Sequence, residues 1–262
     1  MREIRRIVRS GELGRLRMLH NWQFGDWLYR PRLPEELDTR LGGGVTYRQG
    51  EHQVDILRII AGGLVRSVKA MAGSWDPARP TEGAHVMFLD FEDGAVATAV
   101  FSGYGHFHST ELTYGLSEGG GISREPYGAA RRALREAAGQ DGEASLKNLR
   151  GYQETPGDVG SRQRGLPFYG LTVVTCDSGD IRQSPDGLFI YRDEAIEERP
   201  VSREPDGRDA IINEFYDAIV GAAPALHDGR WARANLEVCV AALRSSRERR
   251  EISLQHQVAA PT

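Results

Sequence analysis

Several absences narrow the reading before any motif does. Cysteine occurs only as Cys176 and Cys239, far apart and without metal-ligand spacing, which implies a reducing, cytoplasmic setting. No apolar run is long enough to cross a bilayer, so no membrane partner is expected. Positive charge is not in excess: the formal net charge of -4 argues against a general nucleic-acid binder. No internal repeat is present. The dinucleotide fingerprint G-x-G-x-x-G is missing too. Gly103, Tyr104 and Gly105 lack the third glycine and lie in a strand-like stretch; Gly119 to Gly121 follow no buried strand; Gly42 to Gly44 precede a helix, but Tyr47 stands where the third glycine belongs.

What remains is an ordinary globular composition: 262 residues, 40% hydrophobic and 27% charged. The basic N-terminus reads as a surface helix with Ile4, Ile7 and Val8 inward, ending at Ser10 and Gly11. Residues 15–22 alternate as a half-buried strand. Residues 25–40 are loop-like and carry Trp27, Tyr29, Arg30 and Arg32. Further strands are predicted over 64–71, 84–91, 95–101 and 106–114, with a hairpin at Glu92, Asp93 and Gly94. Connections this short favour antiparallel pairing. Residues 126–138 read as a helix and 139–165 as an exposed polar insertion. Short strands follow at 171–176, 179–182 and 188–191. Two helices close the chain: 210–220, with Ile211, Ile212, Phe215 and Ile219 on one face, and 230–247, with Trp231, Leu236, Cys239, Ala242 and Leu243 inward. The tail from His256 reads as frayed. The fold class is α+β, a predominantly antiparallel open-faced sheet with helices on one face. Residues 1–14 form a linking helix and 15–262 a substrate and oligomerisation domain.

The stretch that organises this chain is Gly42–Arg58. Three glycines allow backbone angles closed to other residues, and an apolar-periodic helix follows. If that helix is continuous, Arg48 and His52 share one face, with Asp55 a turn further on. From spacing alone, His52 is equally a catalytic imidazole and a histidine bonded to a backbone carbonyl. Arg48 is either a fork for a carboxylate or a surface partner of Glu51 or Asp55. Arg30 and Arg32, with Tyr29 and Trp27, either clamp an anionic aromatic ligand or belong to a loop packing its aromatics on the core. His106 and His108, two apart, read as sheet-face residues rather than metal ligands, and no metal is expected.

Gly42–Asp55 resembles the second signature of the glucose–fructose oxidoreductase / inositol dehydrogenase (Gfo/Idh/MocA) family, with Arg48 where most members have Asp. The stretches 29–32, 49–53, 75–84 and 227–231 are most similar to its phthalate dihydrodiol dehydrogenase branch. The resemblance implies that the chain is the substrate domain of a dehydrogenase using NAD or NADP, with His52 assisting proton transfer. Arg48, Arg30, Arg32 and Tyr29 would then hold an anionic substrate, an aromatic cis-dihydrodiol carboxylate or related cyclic alcohol. It also implies a homo-oligomer through the free sheet face around Val96, Thr98 and Val100. The family's dinucleotide domain and its Lys-Pro pair find no counterpart, so that domain is expected to be absent and the chain alone inactive. The alternative is a non-catalytic ligand-binding or oligomerisation module derived from such an enzyme.

Overall fold

The computed structural model describes residues 1–122, 126–137, 139–152, 165–202, 207–221 and 223–260. In chain order the elements are α1 (Arg2–Ser10), β1 (Leu16–Phe24), α2 (Val45–Arg48), α3 (Gly50–Ala61), β2 (Val65–Gly73), β3 (Ala84–Phe91), β4 (Val96–Ser102), α4 (Ala129–Glu136), α5 (Gly139–Tyr152), β5 (Leu171–Cys176), β6 (Gly179–Gln183), β7 (Gly187–Tyr191), β8 (Ile196–Pro200), α6 (Gly207–Val220), α7 (Gly229–Glu248) and β9 (Ile252–Ser253). The strands form one sheet in the order β8-β7-β6-β5-β1-β4-β3-β2-β9. The expected α+β architecture is therefore present. Pairing is antiparallel except between β1 and β4, which run parallel with Leu19 opposite Ala97 and Trp22 opposite Val100. The chain between them, α2 through β3, is the crossover that local connection lengths concealed.

Alternation along the strands gives the sheet one dry face. Leu19, Met87, Leu89, Ala97, Ala99 and Val174 are buried with Val54 and Leu57 of α3, Val238 and Cys239 of α7, and Ile4 and Ile7 of α1. Ala97 and Ala99 keep the sheet surface low, so the helices approach closely. The opposite face exposes Met18, Trp22, Met71, Val86 and Phe88. No helix among the described residues is long and apolar enough to cross a membrane.

Five expectations need correction. Residues 106–114 are not a strand: the chain turns at Gly105, whose N–H donates to Gly25 O at 2.7 Å, and His108 then caps a 3-10 turn over Ser109–Leu112 through its ring. The polar stretch from 139 is not simply an exposed insertion. Residues 139–152 are helical, and Glu143 is buried against Arg79, whose Nη1 lies 2.7 Å and 2.9 Å from its two carboxylate oxygens; residues 153–164 lie outside the described residues. Leu236 points outward, because the buried face of α7 runs through Trp231, Ala234, Asn235, Val238 and Cys239. On α6, the face shared by Ile211, Ile212, Phe215 and Ile219 is exposed, which leaves the expected grouping intact. The tail is tied down rather than frayed: Val258 O accepts from Arg58 and Ala260 N donates to Gly62 O at 2.8 Å. The helix after the glycine turn is broken, as described next.

Candidate functional site

The glycine turn is shaped by a carboxylate. Gly44 caps α2 with φ +84, a left-handed-side conformation that favours glycine. Val45 N donates to Glu82 O at 3.0 Å, and Thr46 N donates to Glu82 Oε1 at 3.3 Å. Thr39 and Thr81 donate to the other carboxylate oxygen. A Cβ on Gly44 would lie 2.1 Å from Glu82 Oε1. The backbone donors that could meet a pyrophosphate therefore already face the protein's own acid, and this turn does not fit a dinucleotide.

After α2 the chain bends at Gln49, with φ -128 and ψ -34, before α3 begins. The break puts Arg48 and His52 on different helices, so four-residue spacing does not make them neighbours on one face. Arg48 is exposed and folds back, its Nε donating to Gly42 O at 3.0 Å. The bend is held by Tyr169, which lies just before β5 in the chain and whose hydroxyl donates to Gln49 Oε1 at 2.7 Å. Tyr169 also packs its ring on the exposed His52, centroids 5.2 Å apart. Burial pushes the Tyr169 phenol above its usual range, so its proton stays available for that bond.

One turn on, Asp55 accepts from Trp231 Nε1 at 2.6 Å and from Asn235 Nδ2 at 2.9 Å. Burial pushes its carboxyl up, but these bonds and one from His227 outweigh it and hold the pKa low. His227 lies between Asp55 and Glu214, and the bond to Asp55 raises its pKa despite burial. Asp55 thus anchors α3 to α7.

A buried polar chain lies beneath the site. Gln53 Nε2 donates to Asn21 Oδ1 at 2.7 Å and Val100 O at 3.0 Å. Its Oε1 then accepts from His85 Nε2 at 2.8 Å, which assigns the His85 proton to Nε2 by the network. Burial drives the His85 pKa down to about 3. The unfolded imidazole takes up a proton below about 6.5 while the folded one stays neutral, so His85 removes stability as pH falls from 6.5 toward 3. Urea midpoints of the parent chain should fall between pH 7 and 5 more steeply than those of His85→Phe. Parallel profiles would mean that His85 is not neutral in the folded state.

Beside the Gln49 bend opens a cleft of about 990 Å³, lined among others by Trp27, Arg30, Gln49, His106, His108 and Arg131. The structure separates the residues singled out in the sequence. Arg30 lines the cleft, its Nε 2.8 Å from Asp26 Oδ1. Arg32 is turned inward: its guanidinium stacks 3.8 Å over Trp27, Nε donates to Trp27 O at 2.9 Å, and Glu36 lies 3.5 Å away. Burial pulls its pKa down to about 10. Tyr29 packs edge-on to Tyr104 and beneath Arg131. Neither Arg48 nor His52 is among the cleft-lining residues; Gln49, between them in sequence, is. His106 and His108 share this cleft although they share no strand. Sequence reasoning missed Arg131 and Tyr169, because nothing in their local patterns marks them; only long-range packing brings them here. Among the described residues no cluster of three or more His, Cys, Asp or Glu is arranged to hold a metal ion.

Residues 1–117 match the model of the GFO/IDH/MocA C-terminal domain. The chain is 34% identical over 247 residues to the 1-carboxy-3-chloro-3,4-dihydroxycyclohexa-1,5-diene dehydrogenase of Comamonas testosteroni, across 90% of this chain and 60% of that protein. It is 43% identical to a solved structure described as a "putative dehydrogenase" from Bordetella bronchiseptica RB50, with a TM-score of 0.88, covering 97% of this chain and 66% of that one. An aldose-aldose oxidoreductase from Caulobacter crescentus, 17% identical with a TM-score of 0.60 over 96% of this chain and 59% of that one, shares the fold. The chain thus spans about 60% of the curated relative's length. These findings support the Gfo/Idh/MocA family, and none of them supports the expectation that a dinucleotide-binding domain is absent from the protein.

Proposed function

From a chain whose residues 1–117 match the GFO/IDH/MocA C-terminal domain, we propose an oxidoreductase of the dihydrodiol dehydrogenase type. This chain supplies the substrate cleft and the proton-handling group. The substrate is an anionic cyclic alcohol, an aromatic cis-dihydrodiol carboxylate by analogy with the 34%-identical relative. The observation that carries the reading is the bend at Gln49: it lines the cleft, and it starts the helix that presents His52 against Tyr169. The hydride acceptor in this reading is NAD or NADP, held elsewhere than at the glycine turn, which Glu82 fills.

Within the cleft, aromatic side chains take the ring of the substrate and exclude water, while cationic side chains hold its carboxylate. His52, at the accessible end of α3, takes the hydroxyl proton. Arg48 stays a candidate for contacting substrate at the entrance, since its guanidinium is exposed and its only described bond is to Gly42 O. The test is formation of the reduced nicotinamide, followed by absorbance, from a carboxylated cyclohexadiene cis-diol, using the protein with every domain its gene encodes. No turnover with either nicotinamide would leave the non-catalytic module as the better reading.

The same reading includes a second copy docked on the outer sheet face, where Val96, Thr98 and Val100 are half-buried and Trp22, Val86 and Phe88 are exposed. Covering that face removes apolar area from water. Light scattering at working concentration should give at least a dimer mass, and a strictly monomeric mass would count against this contact.

A further inference from the structure

We infer that Arg131 is the residue that selects for a carboxylate in the cleft, a role the sequence reading gave to Arg48, Arg30 and Arg32. The inference rests on the proposed reading of this cleft as the substrate site. Arg131 projects from α4 toward the loop after β4. Its Nη1 donates to Gly105 O at 2.9 Å and its Nη2 to Tyr104 O at 2.7 Å. The guanidinium stacks 4.1 Å over the Tyr29 ring. Tyr29 packs against Tyr104, and Tyr104 stacks on Trp75 with centroids 4.8 Å apart. The side chain is therefore fixed before any ligand arrives, which lowers the entropy lost on binding.

Charge separates Arg131 from the other arginines. Backbone carbonyls orient a guanidinium without cancelling its charge, and they leave further donors unused. Among the described residues Arg131 is in no ion pair. Arg30, by contrast, faces Asp26 at 2.8 Å, and Arg32 is buried between Trp27 and Glu36. Glu111 and Glu118 also line the cleft, but both are exposed, so solvent and salt weaken their field at a half-buried guanidinium. Trp27, Phe101 and Phe168 supply apolar walls to the same cleft. A fixed cation among aromatic surfaces suits a planar ring bearing one carboxylate, held by charge-assisted bonds at Arg131.

Binding separates this inference from the redox reading. Benzoate and its neutral isostere benzamide are titrated into the full chain without nicotinamide, followed by calorimetry. The parent protein should prefer benzoate by about tenfold or more. Arg131→Ala should abolish that preference while leaving benzamide affinity within about twofold, which also reports that the cleft is intact. Arg131→Lys, keeping the charge but not the planar fork, should retain part of the preference. Arg132→Ala, a neighbour that is exposed and bonded to Tyr127 O, should retain all of it. An Arg131→Ala or Arg131→Lys protein with the parent's full preference, or a parent with no preference for benzoate, overturns the inference. Nicotinamide reduction that proceeds while the benzoate preference ignores Arg131 sinks the inference and leaves the proposed function standing. An Arg131-dependent preference without reduction does the reverse.

Discussion

His52→Ala should lower kcat for the cis-diol carboxylate by about a hundred- to ten-thousand-fold, the range expected when a positioned acid–base group is removed. KM should change little, since the imidazole acts on the proton in flight rather than gripping the ring. The side chain is exposed at the start of α3, and its described ring contact is a tilted one with Tyr169. Deleting an exposed imidazole changes stability by no more than about 0.5 kcal/mol, so the loss cannot be charged to unfolding. Steady-state kinetics of nicotinamide reduction, with thermal melts alongside, checks both halves. Turnover equal to the parent's would remove His52 from the chemistry and shift attention to Tyr169 and Gln49.

Arg58→Ala should be the most destabilising single truncation among the groups described, at about 3–5 kcal/mol from the cavity it opens and the buried acceptors it strands. Arg58 is fully buried. Its guanidinium stacks 3.9 Å over Trp231. It donates through Nε to Gly63 O at 3.0 Å, through Nη1 to Asn235 Oδ1 and to Trp231 O at 3.3 Å, and through Nη2 to Val258 O at 3.1 Å. Burial pulls its pKa down to about 10, partly offset by Asp55 and Glu237, so it stays charged at neutral pH. Truncation strips several buried acceptors of their donor, opens space beside Trp231, and frees the C-terminal segment from α3. Urea unfolding should show the midpoint falling sharply. Arg58→Met, which refills the volume without the donors, should recover only the packing share. A loss below about 1 kcal/mol for Arg58→Ala would mean that backbone and water replace the guanidinium with ease.

Both predictions concern α3, and the two were unequally visible in the sequence. Gly62 and Gly63 after an apolar-periodic run mark where α3 stops, and His52 carries a family resemblance. Nothing near Arg58 announces a hub, because its partners come from residues 63, 231, 235 and 258. The same division runs through the site. The glycine turn was legible as a turn, but the carboxylate that fills it lies at position 82. Arg32 was a plausible clamp on charge alone, and it is Trp27 and Glu36 that take it away from the cleft.

By itself the sequence determined where β3, β5 and the hairpin at 92–94 lie, and that helices cover one side of an open sheet. These follow from alternation, helical periodicity and glycine placement, which are local properties of the backbone. The dry face of β1 was not among these, because its buried Leu19 and Asn21 alternate with the larger but exposed Met18 and Trp22. Only the tertiary structure decided that β1 pairs in parallel with β4, that Gln49 breaks the helix between Arg48 and His52, and that Arg131 stands in the cleft beside His106 and His108. Those outcomes depend on which distant group satisfies a buried donor, acceptor or charge. A local pattern fixes that such a group needs a partner, and the packing of the whole chain fixes which partner it gets.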